Sequence, residues 1–249
     1  MTSFLLQESR DYCYERGSDL HACFLDAKAA FVKVWISGLI YKLYHLRVRG
    51  KPLRIINHSL RGASSQVLQD GRLSEPFSIK QGTRQGSICA PFYYIVYIND
   101  LLKELSCSPH GLHIGDLSLS APTQADDIVL LSLSRKHLQV LLNICCNYAN
   151  TWRYVYNANK CAVVMTISRT KRRPTNPSPL LYDNTPLPES TTYTHLGIVQ
   201  SGAGRYPFNP DDVKQVIRGT YFALSNVLSN TGDGYGYRTI RLYVYRSFH

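Results

Sequence analysis

Two adjacent aspartates, Asp126 and Asp127, lead into the apolar run of QADDIVLLS (124–132), and a third, Asp26, follows the apolar stretch HACFL (21–25). Each acid therefore stands at the edge of an expected strand. Neighbouring residues of a strand point to opposite faces, but a tight turn can bring both toward one site. Carboxylates ~4 Å apart repel by about 4 kcal/mol at a surface-like dielectric, so such a cluster calls for a proton or a divalent cation. Oxygen donors without His or Cys favour Mg²⁺ or Mn²⁺ over zinc. Pairs of carboxylate-bound Mg²⁺ serve phosphoryl transfer, one activating the attacking hydroxyl and the other steadying the leaving phosphate. The same acids could also do no more than cap a turn, and the residue types alone leave both readings open.

The elements that must position these acids alternate between strand and helix patterns. HACFL reads as a strand ending at Asp26, and Ala27 to about Leu46 reads as a helix with Phe31, Trp35, Leu39, Leu43 and Leu46 on one face. Gly50 and Pro52 are expected to stop it. Segments 65–69 and 73–79 predict a hairpin around Asp70-Gly71. QGTRQGSICAP (81–91) opens a helix carrying Phe92, Ile95, Val96, Ile98 and Leu102. Residues 113–120 and 128–133 are strand-like, 136–152 form an amphipathic helix, and 161–167 a strand. Residues 169–190 read as an exposed connection, 193–201 as a short strand pair, and Asn209-Pro210 as a helix start with Asp211 and Asp212 in its first turn. Mixed elements without strict βαβ alternation give an α+β fold class.

The 249 residues are 44% hydrophobic, enough for a substantial core in one large or two small domains. Formal net charge is +11, and the excess is heavier after residue 150, where 12 basic residues face 5 acidic ones. That balance suits a polyanionic partner or simply a solubilising surface. Seven cysteines without metal-ligand spacing read as buried reduced thiols of an intracellular protein, in the nucleus or the cytoplasm. No run reaches the ~18 apolar residues of a membrane span, and the apolar stretch near the N-terminus is too short for a signal peptide.

FLDAKAAF (24–31), RQGSICAPFYYIVYINDLL (84–102) and ADDIVLLS (125–132) occur in order and at fitting separations, and together resemble three core motifs of the non-LTR (LINE-like) retrotransposon reverse transcriptases. NANKCAVV (157–164) is similar to the fourth motif, YTHLGIVQS (193–201) to the fifth, and RTIRLYVYRSF (238–248) to the start of the thumb. The resemblance implies a palm, an antiparallel sheet backed by helices, over residues 1–204. It implies the start of a helical thumb over 205–249. The fingers are largely absent, so the sequence is expected to be a fragment.

The resemblance also assigns roles. Asp26, Asp126 and Asp127 would hold Mg²⁺ (or Mn²⁺), and Lys160 would assist the leaving pyrophosphate. Ala27, Phe31, Gln85 and Gly86 would meet the incoming deoxynucleoside triphosphate. Phe31 would crowd a ribose 2′-OH, though it also fits an apolar helix face. Lys42, Arg47, Arg49, Lys51 and Arg54 in one segment, and Lys171, Arg172 and Arg173 in another, would donate to phosphates of an RNA template and DNA primer. The implied activity is RNA-directed DNA polymerase, by nucleotidyl transfer onto a primer 3′-OH. The alternative is a non-catalytic nucleic-acid-binding remnant. Two departures stand out: Gln124 lies where the family usually has Tyr or Phe, and Val32 replaces the acid common after Ala-Phe.

Overall fold

The computed structural model describes residues 2–83, 87–157, 160–166, 178–196, 198–202 and 218. Four strands form its main sheet: β1 (Leu20–Asp26), β2 (Thr123–Gln124), β3 (Asp127–Ser132) and β4 (Ala162–Thr166). All pairings are antiparallel, in the order β4-β1-β3-β2. The two central strands are apolar on both faces, and alternation divides their side chains between two cores. Cys23, Leu25, Ile128 and Leu130 point to one side; Leu20, Ala22, Phe24, Val129 and Leu131 point to the other.

The first core is closed by three helices, α2 (Ile36–His45), α4 (Ala90–Cys107) and α5 (Arg135–Trp152), with α3 (Gly50–Arg61) packed on α2. Helix α1 (Thr2–Glu15) covers the second core through Leu6 and Cys13, together with Leu112 and Leu119. Antiparallel strands with helices on both faces make the α+β class that the sequence pattern predicts and the palm-like architecture that the resemblance implies.

Several expectations change in detail. The helix expected from Ala27 begins only at Ile36. Ahead of it the backbone is committed elsewhere: Lys28 N–H donates to the Val155 carbonyl, Thr83 N–H donates to the Phe31 carbonyl, and Ala29 takes a left-handed φ of 54°. The helix does stop ahead of Gly50, at His45, but Gly50 and Pro52 also begin a new helix, α3, because a first-turn proline forfeits only an N–H that has no helical partner. The 113–120 segment is not one strand but a hairpin pairing His113–Ile114 with Leu117–Ser118, turned by Gly115 at φ 58°.

Other expectations match. Asp70 and Gly71 both carry positive φ between Leu68–Gln69 and Arg72–Leu73, as the two-residue turn requires. Ser134 caps α5 by accepting from His137 N–H at 3.2 Å. The 193–201 pair is Thr192–His195 against Ile198–Ser201. The helix expected from Asn209 and the thumb motif lie outside the described residues.

Candidate active site

Asp26 and Asp127 are direct cross-strand partners at the shared end of β1 and β3. Asp126 occupies the two-residue turn with Ala125, between Gln124 and Asp127, which pair in turn across β2 and β3. Ala125 sits at φ 54° and Asp126 does not share that sign, which brings the second acid round to the strand end. The sheet thus gathers the three carboxylates on one edge, each half-buried. Asp127 is pushed above the usual carboxylate range, first by burial and then by the charges of Asp126 and Asp26.

The segment around Asp26 is fixed from several sides. Asn157 N–H donates to the Asp26 carbonyl at 2.9 Å, Ala27 bridges to Tyr156, and Asp26 N–H donates to Cys161 Sγ at 3.4 Å. Lys160 follows in the same stretch, its N–H on the Asn157 carbonyl and its side chain exposed. Ala27 itself is buried. Phe31 is half-buried with its ring 4.7 Å from that of Tyr94, which packs inside the first core.

Gly82 N–H donates to the Val34 carbonyl at 2.9 Å, and a Cβ on Gly82 would stand 2.5 Å from the Val32 carbonyl oxygen. The loop before the second motif is therefore laid directly on the first motif. Gln85 and Gly86 lie outside the described residues, as do Lys171, Arg172 and Arg173. On the other face, Tyr193 of the fifth motif stacks on Phe24 at 4.4 Å, and burial together with Asp26 and Asp127 raises its phenol pKa.

One expected phosphate contact is corrected. Lys42 is 3% exposed, with its ammonium 2.7 Å from Asp100 and 3.7 Å from the centre of the Trp152 ring. It points into the first core and braces α2 against α4 and α5. Arg47, Arg49, Lys51 and Arg54 lie outside that core, all exposed. Residues missing from the sequence reading include Tyr94, Cys161 and Tyr193, which support the acids or Phe31 from below. Among 18 tyrosines and seven cysteines, only the position of Tyr94, Cys161 and Tyr193 inside the quoted motifs marked them.

The three acids supply oxygen donors alone, which suits a hard divalent cation. Among the described residues, no three His, Cys, Asp or Glu side chains close around one point at metal-ligand distances. The carboxylates share a strand end in an open arrangement.

An antiparallel sheet with helices on both faces and acids at the end of its central strands is consistent with the palm that the motif resemblance implies. The family model for reverse transcriptase (RNA-dependent DNA polymerase) matches residues 2–199, and the chain belongs to that family. Its curated relatives are of the non-LTR retrotransposon kind. It is similar to the RNA-directed DNA polymerase from mobile element jockey of Drosophila funebris, with 29% identity over 72% of this chain and 19% of the relative. It is also similar to the probable RNA-directed DNA polymerase from transposon X-element of Drosophila melanogaster, with 24% identity over 85% of this chain and 22% of the relative. The chain thus spans about a fifth of the length of these relatives.

Among solved structures, apo telomerase from Candida tropicalis truncated from its C-terminal domain superposes with a TM-score of 0.56 at 13% identity, over 80% of this chain and 38% of that one. Telomerase from Candida albicans, in complex with a fragment of telomeric RNA, gives 0.53 at 14% identity, over 88% of this chain and 37% of that one. These likenesses establish the fold. Reverse transcriptases generally use divalent metal ions. Among the described residues no helix is long and apolar enough to cross a membrane.

Proposed function

We propose that this chain is the palm of an RNA-directed DNA polymerase that adds deoxynucleotides to a primer 3′-OH on an RNA template. The observation that carries the reading is the cross-strand pairing of Asp26 with Asp127, with Asp126 in the adjoining turn. The palm occupies residues 1–204, and 205–249 begin the thumb.

Asp26 and Asp126 are the main ligands of Mg²⁺, which Mn²⁺ can replace, and Asp127 is the secondary acid. When bound, the cations lower the charge barrier between the primer oxygen and the nucleotide phosphates. In the transfer, the primer 3′-OH loses its proton to solvent as its oxygen bonds to the α-phosphorus, the bond from that phosphorus to pyrophosphate breaks, and Lys160 gives the leaving oxygen a proton. Phe31 flanks the sugar, with Ala27, Gln85 and Gly86 beside the incoming nucleotide. Lys171, Arg172 and Arg173 lie along the template–primer. Holding reactants in line supplies much of such catalysis, which is why the rigid mounting of Asp26 matters.

A primer-extension assay with Mg²⁺ or Mn²⁺ and each nucleotide type tests the reading. Extension with deoxynucleotides that disappears in Asp126→Asn supports it. A second reading, a non-catalytic nucleic-acid-binding remnant, is favoured by the open arrangement of the three carboxylates. Salt-sensitive binding without any extension, under every cation tried, would establish that second reading instead.

A further inference from the structure

We propose that the exposed ridge of α3, formed by Lys51, Arg54, His58 and Arg61, is a track for the phosphate backbone of a single nucleic-acid strand. The inference rests on the reading that this palm acts on nucleic acid, and it extends the phosphate contacts expected at Lys51 and Arg54 along one helix, adding His58 and Arg61 on the same face.

The spacing makes the ridge. Steps of three, four and three residues stack these side chains on one face of α3, over about 15 Å at 1.5 Å per residue. All four are exposed. The helix sequence GKPLRIINHSLR contains no acid, and both ion pairs found among the described residues, Lys42–Asp100 and Arg135–Glu189, lie elsewhere. Phosphates recur about every 3.4 Å of axis along each strand of a duplex, so a ridge of this length spans several of them.

At the N-terminal end the placement of charge is poor for the helix itself, whereas His58 and Arg61 in the last turn suit its dipole. Lys51 and Arg54 sit in the N-terminal turns with no acid to balance them, where the helix dipole favours negative groups. Helix stability therefore does not favour a cation at the start of α3, and an external polyanion would balance it.

The neighbouring surface fits a strand. Arg47 and Arg49 continue the positive charge at the α2–α3 turn, and the Arg49 guanidinium lies 3.2 Å from the centre of the Tyr44 ring. Tyr41 and Tyr44 are 56% and 48% exposed on α2, offering rings on which unpaired bases stack. Arg61 is held in place by bonds to Asn57 Oδ1 at 2.8 Å and Ser37 Oγ at 2.9 Å, which orient its planar fork and leave further N–H donors for a phosphate.

The test uses the full chain and labelled single-stranded RNA and DNA oligonucleotides, read by fluorescence anisotropy across a salt series without nucleotides or divalent cations. The triple variant Lys51→Gln, Arg54→Gln, Arg61→Gln is compared with Arg72→Gln, Lys103→Gln, Lys136→Gln, which removes the same charge from exposed positions elsewhere. Three lost phosphate contacts make the slope of log K against log salt shallower by about 2, and the low-salt affinity falls roughly tenfold or more. The control triple keeps a slope close to the unaltered chain. Equal changes in both triples, or an unchanged slope in the ridge triple, overturn the proposal. So does a ridge triple that loses binding to phosphatidylserine vesicles but not to the oligonucleotides. Circular dichroism monitors folding, and if the triple unfolds, Lys51→Gln and Arg54→Gln alone each shift the slope by about 0.7. No extension is measured here, so loss of polymerisation in Asp126→Asn and loss of binding in the ridge variants are separate results.

Discussion

The backbone N–H of Asp26 donates to the thiol sulfur of Cys161, 3.4 Å away on the neighbouring stretch of chain. Burial pushes that thiol up to about 11, so at neutral pH it stays protonated and neutral beside the acid. Replacing Cys161 with Val keeps the bulk but removes the acceptor from a half-buried donor. The expected cost is about 1 kcal/mol in urea unfolding. Cys161→Ser, which restores an acceptor, recovers part of it.

Asp127 supplies a pH signature. Its folded-state pKa lies above the ordinary 3.8, with burial the largest cause and Asp126 and Asp26 next. Between the ordinary value and the raised one, the folded state binds more protons than the unfolded state. Stability of the metal-free protein therefore falls as pH rises through that window. Asp127→Asn is expected to raise the melting temperature at neutral pH by about 1–3 °C without divalent cation. Saturating Mg²⁺ narrows the gap by favouring the unaltered chain. Thermal scans at acid and neutral pH, with and without the cation, check both statements.

Lys42 and Asp100 predict an asymmetry. The lysine is 3% exposed and its partner 56% exposed, so only one of them can return to water when the other is removed. Lys42→Met leaves Asp100 solvated and is expected to cost less than about 1 kcal/mol, since Met fills the space under Trp152. Asp100→Asn strands a buried ammonium and is expected to cost about 3 kcal/mol. Burial already lowers the Lys42 pKa, against the opposing pull of Asp100. With that pull gone, the Asp100→Asn chain should regain stability as pH rises toward the lysine range, because the folded form then sheds its proton first. Equal costs in denaturant titrations of the two variants would contradict this account.

Gly82 is the tightest junction between the first two motifs. At φ 89°, with the Val32 carbonyl oxygen 2.5 Å from where a Cβ would lie, Gly82→Ala is strained both by conformation and by contact with backbone. The expected cost is at least about 2 kcal/mol. Gly71→Ala, with positive φ but nothing within 4 Å of an added Cβ, should cost only about 1 kcal/mol. Parallel denaturant curves separate the contact from the conformation.

The parts of this architecture legible in the sequence are those where local pattern and global role coincide. FLDAK and ADDIVLLS read as strand ends because apolar runs stop abruptly at acids, and α5 reads as a helix because its apolar stripe is regular. Where tertiary bonds take over the backbone, pattern misleads. Residues 27–35 have helical spacing, yet their carbonyls and N–H groups serve Thr83, Gly82 and Val155. Gly50 and Pro52 look like stops because a helix start and a helix stop share residue types. Lys42 looks like a surface cation because its one neutralising partner lies 58 residues further along the chain. Lys51 and Arg54 are legible as basic residues, but the helix that joins them to His58 and Arg61 is not, because its periodicity is written in charges while helical pattern is carried mostly by apolar residues.

The two-faced burial of β1 and β3 carries a consequence for how this chain tolerates insertion. A strand with one wet face resists a one-residue slip because slipping drives polar groups inward. Here Ile128, Val129, Leu130 and Leu131 are all fully buried, two against each core, so a shifted copy would still present greasy side chains to both layers. What a slip cannot preserve is the meeting of Asp26 with Asp127. The turn at Ala125-Asp126 fixes β3 only against β2, so the meeting of the acids rests on the pairing of β1 with β3 itself, and a one-residue slip between those two strands would leave a well-filled protein with its acids out of step.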